Sequence, residues 1–374
     1  MTGDAPWFQV GADSVRLLRD GVQAFPAMLE AIASARREVL LEMYWVGDDE
    51  VGARFREALA DRARAGVRVC AIYDSVGSMG ITPAWWRPLF AAGGRAVEYH
   101  AISPLDPRFR LARVEMRDHR KMLVVDGRLG FTGGLNLAKP WLHVDDGGAG
   151  WRDDVIEVSG DASQELRSLF FHTWRKLTGE HPPEDVRVLM RKRRRPVWVL
   201  VSQWRMRRSI HREYLVRINR AHSRVDIANS YFVPDRNVRS ALFRAVARGV
   251  KVRVLVPATS DVPVVQYAVE ALFDTLMKNG VEIWALPGPM LHAKTAIIDE
   301  AFTTVGSYNL DQRSWRKNLE VNLAVESSDF ARHVRSWFER DLEVARRVEL
   351  ETWRNRSYAQ RGLEWASYAM RKLW

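Results

Sequence analysis

Residues 119–136 read HRKMLVVDGRLGFTGGLN, and residues 292–309 read HAKTAIIDEAFTTVGSYN. Superposed, both give H-x-K-x4-D-x6-G-[GS]-x-N. Taken singly, a His at a strand start, a Lys on a strand, an Asp at a turn and an Asn after a glycine all have ordinary structural uses. Packing can repeat apolar residues and glycines, but it does not ask for the same His–Lys pair twice at the same offsets. The repetition marks a duplicated unit that carries chemistry.

The repeat extends outward from the motif. The first half holds REVLLEMYWVGDD (37–49), a helical segment through Ala60, and RAGVRVCAIYDSVGS (64–78). The second holds SRVDIANSYFVPDRN (223–237), the helical SALFRAVARG, and GVKVRVLVPATSD (249–261). Another helix and strand follow in each, LFAAGGRAVEYHA and TLMKNGVEIWALP, and then the motif. Period-2 apolar runs alternating with amphipathic stretches read as βα units. The pattern predicts a duplicated α/β chain of two domains, each a mixed β-sheet flanked by helices, packed with pseudo-twofold symmetry. The expected divisions are 1–180, a basic connector 181–210, 211–346, and a basic aromatic tail 347–374.

Residues two apart on a strand face the same way, so His119 projects with Lys121 and His292 with Lys294. The runs MLVV and TAII then enter the sheet. Asp126–Gly127 has the chemistry of a tight hairpin turn; Asp299–Glu300 stands at the equivalent place with less turn character. A returning strand brings Asn136 and Asn309 back toward the His–Lys pairs. The glycines at 133, 134 and 306 suit a sharp bend or a close backbone approach to a ligand.

Composition narrows the class. The 374 residues, 47% hydrophobic and 28% charged, suit a globular chain with room for two domains. The single cysteine, Cys70 in VRVCAIYD, reads as a buried strand residue. It rules out an internal disulfide and fits a reducing compartment. Neither HExxH nor EF-hand spacing occurs. The excess of 57 Lys+Arg over 46 Asp+Glu, a net +11, predicts attraction to polyanions, either nucleic acid or an anionic membrane. No run approaches the roughly 18 apolar residues of a spanning helix, and the N-terminus lacks a signal-peptide pattern. The chain is expected to be soluble or to lie on a surface.

With these motifs the chain resembles the phospholipase D superfamily, whose signature is H-x-K-x4-D followed by G-S-x-N. Further stretches resemble its bacterial cardiolipin synthases: RDHRKMLVVDGRLGFTGGLN (117–136, with Gly134 in place of Ser), YFVPD (231–235), RGVKVRVLVP (248–257), LHAKTAIIDEAFTTVGSYNLDQRS (291–314) and NLEVNLAV (318–325). So does DGVQAFPAMLEAIASARREVLLEMYWVGDDEVG (20–52), and the likeness runs from about residue 13 to 346. The best-known members carry two N-terminal membrane spans, so the likeness is to the shorter branch without them.

The expected catalytic set is His119, Lys121, Asp126, Asn136, His292, Lys294, Asp299 and Asn309, with the two histidines, two lysines and two asparagines brought to one cleft. Lysines and amides suit the charge of a phosphodiester, and one imidazole can attack phosphorus while the other transfers the proton, with no metal or cofactor. The resemblance implies that His119 is the nucleophile and His292 the acid/base. It also implies that Asp153 in GWRDDV and Glu320 in NLEVNL hold the second ring nitrogens, with Gly134 and Ser307 beside them. Asp126 and Asp299 suit a role in bracing the fold better than proton chemistry.

The expected reaction is phosphatidyl transfer to phosphatidylglycerol, making cardiolipin. A hydrolytic phospholipase D and a nucleic-acid phosphodiesterase are the alternatives. Expected partners are a phospholipid and an anionic membrane, with no nucleic acid; one chain suffices for the site. The expected location is cytoplasmic, peripheral on the inner face of the cell membrane. In the tail, Leu363, Ala366, Met370 and Leu373 fall at helical spacing. Trp353, Tyr358, Trp365, Tyr368 and Trp374 add aromatics, and Arg354, Arg356, Arg361, Arg371 and Lys372 add charge. That composition suits a helix at an anionic bilayer interface; the alternative is a helix docked on the domain. The run Arg191–Arg195 reads as a lipid head-group contact or a solvated loop.

Overall fold

The computed structural model describes residues 5–104, 106–186, 195–202 and 209–371. Its first sheet comprises β1 (Phe8–Val10), β2 (Asp13–Arg19), β3 (Glu38–Met43), β4 (Arg68–Asp74), β5 (Arg95–Tyr99), β6 (Lys121–Val125), β7 (Leu129–Gly133) and β8 (Asp154–Ser159). The second comprises β9 (Val197–Ser202), β10 (Arg224–Asn229), β11 (Lys251–Pro257), β12 (Glu282–Leu286), β13 (Lys294–Ile298), β14 (Phe302–Gly306), β15 (Glu320–Glu326) and β16 (Arg346–Arg347). The orders are β1-β2-β8-β7-β6-β3-β4-β5 and β16-β12-β11-β10-β13-β14-β15-β9. Read in reverse, the first matches the second from β5 with β12 through β2 with β9; β1 and β16 are edge additions. In each half three neighbouring strands are parallel and the others antiparallel. The duplicated mixed-sheet architecture is therefore present.

The central strands are covered on both faces, which is why EVLLEM and RVCAIYD read as nearly continuous apolar runs. Cys70 is buried in β4. The crossover helices Glu50–Arg64 and Arg236–Ala247 start alike. The carboxylates of Asp49 and Asp235 accept hydrogen bonds from first-turn backbone N–H groups, satisfying donors that a helix leaves open. Helices Asp161–Thr178 and Ser328–Val344 fill the space between the sheets. There Leu166 and Phe170 share a core with Val305, Leu323, Phe330 and Val334. Each half keeps a second core on its outer side.

One boundary changes. Val197–Ser202 falls in the predicted connector, yet as β9 it pairs antiparallel with β15 and closes the second sheet. Without it β15 would present an open edge. The Arg191–Arg194 part of the basic run, together with Lys372, Leu373 and Trp374, lies outside the described residues.

Asp126 and Asp299 stand apart from the catalytic set. Both adopt left-handed backbone, φ 54° and 53°, so Asp299 turns much as Asp126 does. The Asp126 carboxylate accepts from the backbone N–H groups of Arg36, Arg37 and Glu38, and that of Asp299 from His222, Ser223 and Arg224. Five residues of strand, about 16 Å, separate each from its lysine. They brace the hairpin against the start of the neighbouring strand.

Burial raises the Asp126 pKa, but the three N–H donors outweigh it and hold the carboxyl below its usual range. A depressed carboxylate pKa stabilises the fold above the unfolded value and loses that contribution as pH falls. Asp126→Ala should therefore cost about 1 kcal/mol near pH 7, since solvent screens the partly exposed carboxylate. In denaturant titrations the difference from the parent should close below about pH 4.

Candidate active site

Each motif histidine lies just before a central strand and is stitched to the opposite half of the molecule. The His119 N–H donates to the Leu319 carbonyl at 3.0 Å, and the His292 N–H to the Arg152 carbonyl at 2.7 Å. The side chains cross as well. His119 Nδ1 lies 3.1 and 3.0 Å from the two carboxylate oxygens of Glu320, on β15 of the second half. His292 Nδ1 lies 2.8 Å from Oδ2 of Asp153, next to β8 of the first half. All four residues are buried. A carboxylate on Nδ1 fixes ring and tautomer, and leaves Nε2 for chemistry.

The lysines and asparagines are tied in matching ways. Lys121 Nζ donates to the His119 carbonyl at 2.7 Å and sits 4.7 Å from the centre of the Tyr44 ring. Lys294 Nζ donates to the His292 carbonyl and, at 2.8 Å, to Ser230 Oγ. Asn136 Oδ1 accepts from the Trp45 N–H at 3.1 Å, and Asn309 Oδ1 from Ser230 Oγ at 2.9 Å. With the oxygens engaged, the amide NH2 groups are what each asparagine has left to offer a ligand. Aromatic rings stand around the histidines: Tyr44 beside His119 at 4.8 Å, Trp141 and Trp151 beside His292 at 5.2 and 5.6 Å.

Burial and like charges govern the electrostatics. Burial lowers both lysine pKa values, that of Lys294 to about 8. Burial, then Lys121 and Lys294, push His119 well below its ordinary value. Burial and Lys294 also lower His292, with Asp153 opposing them. The carboxylates diverge. Burial raises Glu320 to about 7 despite Lys121 and the donors on it. Burial also acts to raise Asp153, but His292, Lys294 and Trp141 hold it below the usual range.

The structure thus gathers His119, Lys121, Asn136, His292, Lys294 and Asn309, with Asp153, Glu320, Gly134 and Ser307 around them. Asp126 and Asp299 are not part of this group. The Gly134/Ser307 difference has a steric cause. Ser307 Oγ donates to Glu320 Oε2 at 2.5 Å. A Cβ on Gly134 would fall 2.2 Å from Asp153 Oδ1 and 2.7 Å from the His292 carbonyl oxygen. Asp153 obtains its donor from Trp141 instead, whose Nε1–H reaches Oδ2 at 2.8 Å.

Sequence reasoning missed Trp141, Asn318 and Asp20. Asn318 Nδ2 donates to Glu320 at 3.2 Å; its place two residues before Glu320 was a usable signal. Asp20, at φ 57°, exchanges backbone-directed hydrogen bonds with Asp153. No spacing rule identifies Trp141 or Asp20, because both reach Asp153 through the tertiary fold. Among the described residues, no group of three or more His, Cys, Asp or Glu is arranged to hold a metal ion.

Residues 214–342 match the family described as cardiolipin synthase, PLD-like domain. The cardiolipin synthase of Halalkalibacterium halodurans is 31% identical over 94% of this chain and 70% of its own length. Cardiolipin synthase A of Pseudomonas aeruginosa is 35% identical over 88% of this chain and 66% of its own. Among solved structures, a phosphatidylserine synthase from Haemophilus influenzae is similar in fold. Its TM-score is 0.71 at 14% identity, and the match covers 99% of this chain and 96% of that one.

Gly134→Ser would bring the first motif into line with the family signature, yet it should displace Asp153 and cut turnover by on the order of 100-fold. Steady-state rates on a labelled phospholipid check this. A fully active Gly134→Ser variant would contradict the steric account.

Proposed function

Because the chain belongs to the cardiolipin synthase family of the phospholipase D superfamily, we propose that it is a phosphatidyltransferase that makes cardiolipin from phosphatidylglycerol. The observation that carries this reading is the crossed arrangement of two buried imidazole–carboxylate pairs beside two lysines and two asparagines. His119 Nε2 attacks the phosphorus of one phosphatidylglycerol, and the bond from phosphorus to the head-group glycerol oxygen breaks. His292 gives its proton to the departing alkoxide, so glycerol leaves and a phosphatidyl–His119 intermediate remains. A glycerol hydroxyl of a second phosphatidylglycerol then loses its proton to His292 and attacks phosphorus. The P–N bond breaks, cardiolipin is released and both histidines are restored.

The unequal carboxylates support this division of labour. Ionised Asp153 favours the imidazolium form that His292 needs as an acid. Glu320, pushed up to about 7, gives less support to a charge on His119, and a neutral imidazole is the nucleophilic form. Lys121, Lys294 and the asparagine amides stabilise the charge gathered on the phosphoryl oxygens. One chain supplies both histidines, so a monomer suffices. Among the described residues no helix is long and apolar enough to cross a membrane. The enzyme is read as acting peripherally on the inner face of the cell membrane, where its lipid substrates lie.

Purified protein incubated with labelled phosphatidylglycerol should release cardiolipin and glycerol in equal amounts. Phosphatidic acid instead would mark a hydrolase, and DNA cleavage without lipid turnover would overturn the reading. His119→Ala and His292→Ala should each lose about 1,000-fold or more of kcat. Label trapped on His292 alone would reverse the assigned roles.

A further inference from the structure

Helix Tyr358–Ala369 is built the wrong way round for a helix in water. It packs on helix Pro263–Glu270, and the face it buries is polar. Glu364 is 0% exposed and forms a two-pronged ion pair with Arg356. Ser367 is buried, and the Tyr368 hydroxyl accepts from Arg239 at 2.7 Å. The opposite face is apolar and open: Tyr358 is 88% exposed, Trp365 55%, Leu363 54% and Met370 42%. The small residues Ala359, Gly362, Ala366 and Ala369 between them are exposed as well. At about 100° per residue these positions form one continuous strip. An amphipathic helix docked only on its own domain would show the reverse.

We infer that this strip is the surface on which the enzyme rests in an anionic lipid bilayer. That the lipid is also the source of the substrate rests on the phosphatidyltransferase reading; the inverted polarity of the helix does not. Three features favour lipid over a second copy of the chain. Tyr and Trp are the side chains that settle at membrane–water interfaces. Exposed Arg361, on the same helix, borders the strip on a chain of net charge +11, which complements an anionic head-group layer. The area is also small. With Tyr358 88% and Trp365 55% exposed, the strip on this 12-residue helix offers on the order of 500 Å² per copy, short of the roughly 800 Å² per partner in a stable interface. A bilayer needs no such footprint, because the helix sinks into it.

The location suits the chemistry. Helix Pro263–Glu270 follows the loop that carries Asp261, whose carboxylate accepts from the Tyr231 hydroxyl at 2.7 Å, and the Tyr231 ring lies 6.4 Å from His292. The lipid-facing helix is therefore one helix away from the wall of the pocket.

Flotation of the full chain with phosphatidylglycerol-containing vesicles tests the inference, comparing the parent with a Leu363→Asp, Trp365→Asp double variant. The parent should float with the vesicles, and the double variant should bind at least about ten-fold more weakly, since two exposed apolar side chains that would enter the bilayer are replaced by anions. Trp365→Phe should retain binding. Melting temperature and turnover in detergent micelles, where lipid comes without a bilayer, should be unchanged in the double variant. Equal flotation of parent and double variant would overturn the inference. So would loss of micelle turnover, or a parent dimer that the substitutions convert to monomer without affecting vesicle binding. If even the parent turns over no lipid in micelles, the catalytic reading fails, while the vesicle comparison still decides the surface.

Discussion

Two imidazole–carboxylate pairs cross between the halves of this molecule, and the site exists only because they do. Glu320 of the second half holds His119 of the first, and Asp153 of the first holds His292 of the second. Neither half can orient its own histidine. Removing one partner from a buried, hydrogen-bonded charge pair typically costs about 3–5 kcal/mol, so the crossing ties domain docking to the chemistry. Other contacts reinforce the same seam. Arg152 bridges Asp154 and Asp341, and Thr295 donates to Asp154 at 2.6 Å. Buried apolar side chains from both halves fill the space between the sheets. Duplication supplied two equivalent units, and docking turned them into one site with unlike carboxylates.

The same burial that makes the pocket costly also makes it selective. Two lysines and two histidines share a buried volume; burial lowers the pKa of each lysine and of His119, and the neighbouring cations lower His119 and Lys121 further. Asp153 and Glu320 offset only part of that charge. A bound phosphodiester completes the balance, placing its anionic oxygens among donors that are already oriented. Asparagines tied through their oxygens and lysines tied to the backbone carbonyls of their own histidines need little reorganisation on binding.

Much of this was legible in the sequence, and the limits have physical causes. The repeated H-x-K-x4-D and its flanking βα pattern gave the duplicated fold, because strand and helix periodicities are local. The same repetition singled out the histidines, lysines and asparagines. Asp126 and Asp299 share the motif's spacing for a different reason: a left-handed turn residue whose carboxylate collects three backbone N–H groups is as position-specific as a catalytic one. Strand β9 was lost in a basic connector because a short edge strand has little pattern of its own. The contacts of Trp141 and Asp20 with Asp153 depend on how the chain closes on itself. The tail read as amphipathic, but only its packing shows that the polar side faces inward.

The division of roles between the crossed pairs is tested most directly with an activated phosphodiester, a p-nitrophenyl ester whose leaving group needs no proton. In rapid-quench experiments an Asp153→Asn enzyme should form the phosphohistidine at a rate close to that of the parent and then accumulate it on His119, because the weakened His292 acts only in the second step. Glu320→Gln should slow formation itself and accumulate little. Accumulation in Glu320→Gln, or label on His292 in Asp153→Asn, would contradict the assignment of nucleophile and acid to the two halves.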